Sequence, residues 1–348
     1  MQNARTMLER VANLTRLHSL EELENNLLQA AREFFQPNDV FLLTIDRGGD
    51  AHMLRRSSSD APSKGEHTNP TLLRNAAATL QAAHGDRQLA QQWFDDTGLI
   101  VAYPLIDSPP MRTGLVMIMD DANAAAEASA SHRVLDIFRN LGEVLDNAQR
   151  DELTGLLNRK TFDDNMQRVI ARSIAYSKRE RQEERRSDAF LESATQPPVH
   201  HHIAMVDIDH FKSINDQFGH LVGDEVILAV ANQLRECIRD TDLIYRFGGE
   251  EFVIILTGVD RSGASSALER LRKTMAEAHF PRADRVTISY GMAEVQPGVQ
   301  AHQLLDRADS ALYYAKQHGR NQGHYYEALV DTGRLTPLDD QIGEVELF

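Results

Sequence analysis

Residues 203–226 read IAMVDIDHFKSINDQFGHLVGDEV, and this stretch organises the second half of the chain. Ile203–Asp209 has the apolar density and length of a buried strand, and Phe211–Phe218 forms a short helix. Gly219-His220-Leu221-Val222-Gly223-Asp224 then leads into a longer helix, Glu225–Ile238. Working outward, strands at Leu243–Phe247 and Phe252–Leu256 flank Gly248-Gly249-Glu250-Glu251, where two permissive glycines suit a hairpin turn. A helix at 261–277, a strand at Val286–Tyr290 and a helix at 301–317 complete the order β-α-α-β-β-α-β-α. This elaborates the split βαβ plan. Such a fold carries Asp207 and the hairpin acids Glu250 and Glu251 to one sheet edge. Hard cations such as Mg²⁺ take carboxylate, carbonyl and phosphate oxygens. Upstream, Asp151–Arg159 (DELTGLLNR) is turn-rich, and a helix beginning near Arg159 runs through Phe162, Met166, Val169 and Ile170.

With 348 residues, and roughly 150 residues per domain, two domains are expected. Lys plus Arg number 37 against 52 Asp plus Glu, a net charge of −15; so acidic a surface lacks the positive field of a nucleic-acid binder. No stretch approaches the roughly 18–20 apolar residues of a membrane span, and MQNARTMLER has no apolar leader core. Cys237 is the single cysteine, which excludes an internal disulfide framework and a multi-cysteine metal site. The expectation is a soluble, cytoplasmic, two-domain protein.

In the first half, Leu20, Leu27, Leu28, Ala31 and Phe35 follow helical spacing behind Ser19, a good cap. Val40–Ile45 reads as a strand, 55–70 as a polar loop, 71–83 as a helix, and Leu99–Leu105 and Gly114–Met119 as strands around the loop Asp107-Ser108-Pro109-Pro110. An α/β unit with an antiparallel sheet results. Over about 20–120 it resembles a GAF sensory domain, with PAS as the alternative and a ligand-free dimerisation module as a third reading. That resemblance implies a small-molecule or protein input at residues 1–123. In the helix 124–150, Val134, Phe138, Leu141, Leu145 and Ala148 mark the seam of a short two-stranded coiled coil. Ile137 and Val144 widen the apolar face, so one-sided packing on the first domain stays open. Either way the helix is a stiff connector ending almost at Asp151.

The second half strongly resembles the GGDEF diguanylate cyclase family over about 151–325, through DELTGLLNR, DIDHFKSINDQFGHLVGDEV, RFGGEEF at 246–252 and YYAKQHGRN at 313–321. The resemblance implies a mixed α/β (α+β) chain. A GAF-like domain and a helical connector would precede a ferredoxin-like, nucleotidyl-cyclase-type domain at 151–328. It implies that Asp207, the Ile208 carbonyl and Glu250 hold Mg²⁺, with Mn²⁺ as substitute. Glu250 or Glu251 would assist deprotonation. Lys212, the Phe211 amide, Lys316 and Arg320 would meet the triphosphate, while Asn215 and Asp224 read the guanine edge. His220 would lie near the nucleotide or serve as a turn or capping residue. Asp209 is expected to cap or stabilise the next helix rather than bind metal. The implied reaction joins two GTP into cyclic di-GMP and two pyrophosphates across a homodimer.

Arg239 and Asp242, in Arg239-Asp240-Thr241-Asp242, match the family's RxxD product-inhibition site, where a guanidinium clamps phosphate or stacks on guanine. The spacing from Asp151 to Asp207 exceeds the family's usual one, and the excess falls in a polar insertion at about 176–202 ending in His200-His201-His202. The acidic tail, 329–348, is expected to be poorly ordered. The alternative function is a catalytically weak domain acting as a receptor for cyclic di-GMP or GTP. Its usual signature is loss of a GGEEF acid or of the first aspartate, and both are present.

Overall fold

A computed structural model describes residues 19–57, 69–108, 111–119, 132–171, 200–278, 280, 285–296 and 298–338. Most of the insertion (176–199), the first part of the connector (124–131) and the end of the tail (339–348) lie outside them. The chain divides into two compact units between Ala148 and Gln149.

In the first unit, helix α1 (Leu20–Phe35) starts where the Ser19 side chain accepts from the Glu22 amide and stops at Gln36, which takes a left-handed conformation. Strands β1 (Asp39–Ile45), β2 (Ala51–Arg56), β3 (Ala90–Phe94), β4 (Gly98–Ser108) and β5 (Met111–Met119) and helices α2 (Pro70–Asp86) and α3 (His132–Ala148) follow. The strands form an antiparallel sheet in the order β2-β1-β5-β4-β3. Strand alternation sends Val40, Leu42, Val101, Tyr103, Leu115 and Met117 to the core shared with α1 and α3. Phe41, Leu43, Ile100, Ala102 and Val116 face the α2 side instead. Helices on both faces explain why β1 is a continuous apolar run rather than an alternating one.

Three expectations change here. The strands β2 and β3 are additional: both are edges, and their half-exposed, largely polar sequences give no strand signal. Asp107 and Ser108 belong to β4 rather than to a loop. The expected coiled-coil seam is spent inside the unit. Val134 and Phe138 are buried, Leu141 and Leu145 pack against the same core, and α3 belongs to the first unit rather than to a separate connector. The sheet supplies the partner surface that the periodicity alone left unspecified. Ile137 and Val144 remain exposed.

In the second unit, β6 (Leu157–Asn158) precedes a helix at 162–171. Then come β7 (His202–Ile208), α4 (Phe211–Phe218), α5 (His220–Cys237), β8 (Leu243–Arg246), β9 (Glu251–Leu256), α6 (Arg261–Glu277), β10 (Ile288–Glu294), α7 (Ala301–Gln317), β11 (Gly323–Tyr325) and α8 (Tyr326–Asp331). The sheet order is β11-β10-β7-β9-β8-β6. Its four central strands run antiparallel in the sequence order fourth, first, third, second, the split βαβ arrangement. Ala204, Val206 and Ile208 face the core formed with α5 and α6, while Ile203 and Met205 face α7 and the 162–171 helix. By the same alternation Asp207 lies on the α7 side.

Two boundaries move. Helix α5 begins at His220 instead of Glu225, because Gly219, at φ +86°, turns the chain and Gly223 is helical. Strand β10 runs Ile288–Glu294 in place of the expected Val286–Tyr290, paired along β7. Part of the tail is also ordered: the Leu338 amide donates to Tyr326 Oη at 2.7 Å, and Leu335 packs against the α7-side core.

Candidate active site

The site is built at the end of β7. Asp207 is only 3% exposed and lies opposite Glu251 in the β7–β9 register, while the Ile208 amide donates to the Glu250 carbonyl at 3.3 Å. The hairpin acids therefore adjoin the strand-end aspartate. From α7, Lys316 Nζ reaches Asp207 Oδ2 at 2.8 Å, so this lysine, expected at the triphosphate, also touches the acid cluster. Burial pushes Asp207 up to about 6, Lys316 opposes the rise, and Glu250 and Glu251 add to it. Glu250 is also raised, first by burial, with Lys316 opposing and Glu251 reinforcing.

Lys316 thus offsets Asp207 and Glu250, while Glu251 adds negative charge to the same partly dehydrated corner. Among the described residues no three His, Cys, Asp or Glu side chains converge as a ready metal cage. The donor set suits a cation that takes only one or two protein carboxylates, and Asp207, Glu250 and the Ile208 carbonyl are the oxygens that could hold Mg²⁺ here.

Asp209 is fully engaged elsewhere. It accepts from Thr287 Oγ1 and Ser289 Oγ, each at 2.7 Å, and from the Asn321 amide at 3.0 Å. It ties β10 and the turn after α7 to β7, and the expected helix-capping role is not found: α4 has no side-chain cap bond.

A second group forms between α4 and α5. Asn215 Oδ1 is buried, and among the described residues it has no hydrogen-bond partner. It sits so close to Gly223 that a Cβ there would come within 2.0 Å of it, with the Phe211 ring at 3.1 Å. Only glycine permits this approach. Asp224 is half-buried one residue further along α5, and Phe211 is buried at the start of α4. Lys212, His220 and Arg320 are exposed, at the start of α4, the start of α5 and the turn after α7. The structure gives no direct bond between them and the acids.

Arg239 and Asp242 do come together. Both line a cavity of about 240 Å³ with Cys237, Ser266 and Arg270. Arg239 is exposed, whereas Asp242 is buried and accepts from the Thr257 amide at 2.8 Å. Burial raises its carboxyl, and the Thr257 bonds and Arg239 oppose that. The three histidines separate, as alternation requires. His200 pairs with Glu294 at 2.8 Å, His201 accepts from the Gly258 amide at 3.3 Å, and His202 is buried.

One connection carried no signal in the motifs. Arg246 Nη1 lies 3.1 Å from Asp151 Oδ1, which joins DELT to RFGGEEF. The two segments were legible, but a pair 95 positions apart is set by tertiary packing.

The family described as diguanylate cyclase, GGDEF domain, matches residues 148–322. The chain is 35% identical over 212 residues to the diguanylate cyclase DgcP of Pseudomonas aeruginosa, covering 60% of this chain and 28% of that protein. It is 43% identical over 123 residues to the probable diguanylate cyclase DgcC of Escherichia coli, covering 34% and 33%. The chain thus spans about a third of the length of these curated relatives. A crystal structure of the GGDEF domain of DgcB from Caulobacter crescentus, in complex with c-di-GMP, aligns at 33% identity with a TM-score of 0.44. It covers 52% of this chain and 96% of that one.

Proposed function

The chain belongs to the GGDEF diguanylate cyclase family, and from that premise we propose that it condenses two GTP into cyclic di-GMP and two pyrophosphates. The observation that carries the reading is the buried Asp207 beside the hairpin acids Glu250 and Glu251, with Lys316 at 2.8 Å.

In this reading Asp207, the Ile208 carbonyl and Glu250 hold Mg²⁺ or Mn²⁺. When bound, the metal offsets charge on the phosphates and on the attacking oxygen. Asn215 and Asp224 accept from the guanine edge, and the orphaned Asn215 oxygen supports this, because a buried acceptor gains from a donor supplied by ligand. The Phe211 amide, at a helix N-terminus, suits an anion. Lys212, Lys316 and Arg320 add positive charge around the triphosphate, and His220 lies at its margin. The 3′-hydroxyl of one GTP attacks the α-phosphorus of the other. A P–O bond forms, the bond to the β-phosphate oxygen breaks, and the hydroxyl proton passes to Glu250 or Glu251. The same step on the second GTP closes the ring. Positioning and charge neutralisation supply most of the gain.

Each domain holds one GTP, so the reaction requires two copies facing each other. Arg239 and Asp242 form the product-inhibition site, and the first unit is a GAF-like sensory module that adjusts how the two copies meet. Among the described residues no helix is long and apolar enough to cross a membrane. The test is the purified chain with GTP and Mg²⁺, its products identified by mass. Cyclic di-GMP with two pyrophosphates per product is expected. GTP left intact by a folded protein would overturn the reading.

A further inference from the structure

The Gly248-Gly249 pair is the loosest backbone in the hairpin, since glycine lacks the Cβ that restricts φ and ψ. Yet the peptides on both sides of Glu250 have to be well placed if the glutamate is to bind anything. One contact holds the peptide that leaves Glu250, and a pair from Arg246 holds the peptide that enters it. On one side the Ile208 amide donates to the Glu250 carbonyl at 3.3 Å. On the other, Arg246 Nη2 and Nε donate to the Gly249 carbonyl at 3.0 and 3.3 Å.

The rest of the guanidinium is committed to Asp151, with Nη1 at 3.1 and 3.3 Å from its two oxygens. Asp151 is itself anchored by the Thr154 amide at 2.9 Å and hydroxyl at 2.7 Å. Burial would raise the Asp151 carboxyl, but the Thr154 bonds and Arg246 outweigh it and hold the group below the usual carboxylate range. A planar fork serves a carboxylate and a carbonyl together; a lysine ammonium cannot reproduce this.

We propose that Arg246, oriented by Asp151, is a positioning residue for Glu250, fixing the Gly249–Glu250 peptide and so setting the affinity of the hairpin for a divalent cation. The inference rests on the metal-dependent reading above and adds two residues to it. Asp151 lies three positions beyond the boundary between the two units. The clamp therefore joins the first residues of the second unit to the hairpin by side chains, beside the backbone pairing of Asn158 with Arg246.

The test is Mn²⁺ binding to the full-length protein saturated with a non-hydrolysable GTP analogue, followed by electron paramagnetic resonance, alongside thermal melting and turnover. Arg246→Gln and Asp151→Asn should weaken Mn²⁺ binding by roughly 10- to 100-fold, the usual cost of removing a group that orients a metal ligand. Arg246→Lys should group with Arg246→Gln. Thr154→Val, which removes one Asp151 anchor but leaves the Arg246 pair, should lower the melting temperature while keeping the parent's Mn²⁺ affinity. Unchanged Mn²⁺ binding in Asp151→Asn and Arg246→Lys would overturn the proposal. So would a loss in Thr154→Val as large as theirs, since the turn and not the clamp would then be responsible. If Arg246→Gln does not fold, the other two clamp variants decide. A parent that binds Mn²⁺ but makes no cyclic di-GMP defeats the cyclase reading alone, and the binding series still tests the clamp.

Discussion

Replacing His202 should expose an acid stabilisation of the second unit that the parent masks. The imidazole is buried on β7, and burial pushes it down to about 4 from 6.5, with Glu294 opposing and His200 and His201 reinforcing. Between those values the unfolded chain binds a proton that the folded chain does not. Stability is therefore whole above pH 6.5 and falls as pH drops, by about 3 kcal/mol at pH 4. Asp207 acts with the opposite sign. It is raised from 3.8 to about 6, so the folded state takes up its proton first, and stability rises by about 3 kcal/mol over a similar interval. These two contributions nearly cancel in the parent. His202→Phe should leave the rise exposed, and Asp207→Asn should leave the fall. Hydrogen exchange of the β7 and β10 amides, in chelator from pH 7 to 4, reads the opening free energy of this unit. Fluorescence of Trp93, the chain's single tryptophan, follows the first unit as an independent control. Other titrating groups are common to all the proteins, so the parent-minus-variant difference isolates each residue. A difference between parent and His202→Phe that stays flat across this range would refute the assignment.

Glu250→Gln should lower turnover by about two orders of magnitude or more with an unchanged melting temperature; near-normal product formation would remove Glu250 from the site. Gly223→Ala places a Cβ 2.0 Å from Asn215 Oδ1, and titration with a non-hydrolysable GTP analogue should show weakened nucleotide binding, while unchanged affinity would separate Asn215 from the guanine. Arg239→Ala should keep synthesising at product concentrations that stop the parent, and an identical inhibition curve would move the inhibitory site elsewhere. Phe138→Ala removes a buried ring from the first unit and should cost about 3–5 kcal/mol in the Trp93 transition. Val144→Asp, on the exposed side of α3, should spare that transition, and a comparable loss would show that the two faces of α3 are not distinct.

Much of the second unit is legible in the sequence alone. Helices 211–218, 261–277 and 301–317 were legible to the residue. The apolar residues keep one period, and Gly219, Asp260 and Gln300 each mark one end. Gly248-Gly249 announced a hairpin, and Asp207 a strand end, because backbone permissiveness and side-chain alternation are local properties. The start of α5 is hidden for a local reason too: Gly223 looks like a loop glycine, and only the packing of α4 against it explains a glycine inside a helix.

What the sequence determined by itself is therefore the set of elements, the faces they bury, and the motifs whose combination points to one family. Tertiary structure decided who meets whom. The α3 stripe could have served a partner helix or its own sheet with the same periodicity, and the sheet took it. Lys316 could have been reserved for phosphate, yet it pairs with Asp207, because α7 packs on the strand face where alternation puts that carboxylate. Asp209, two positions along, is consumed by Thr287, Ser289 and Asn321, and Asp151 finds Arg246 across 95 positions. Periodicity specifies which side of an element is apolar, through contacts a few residues apart. Pairing between distant charges depends on how sheet register and helix packing close the chain on itself, and no local pattern encodes that.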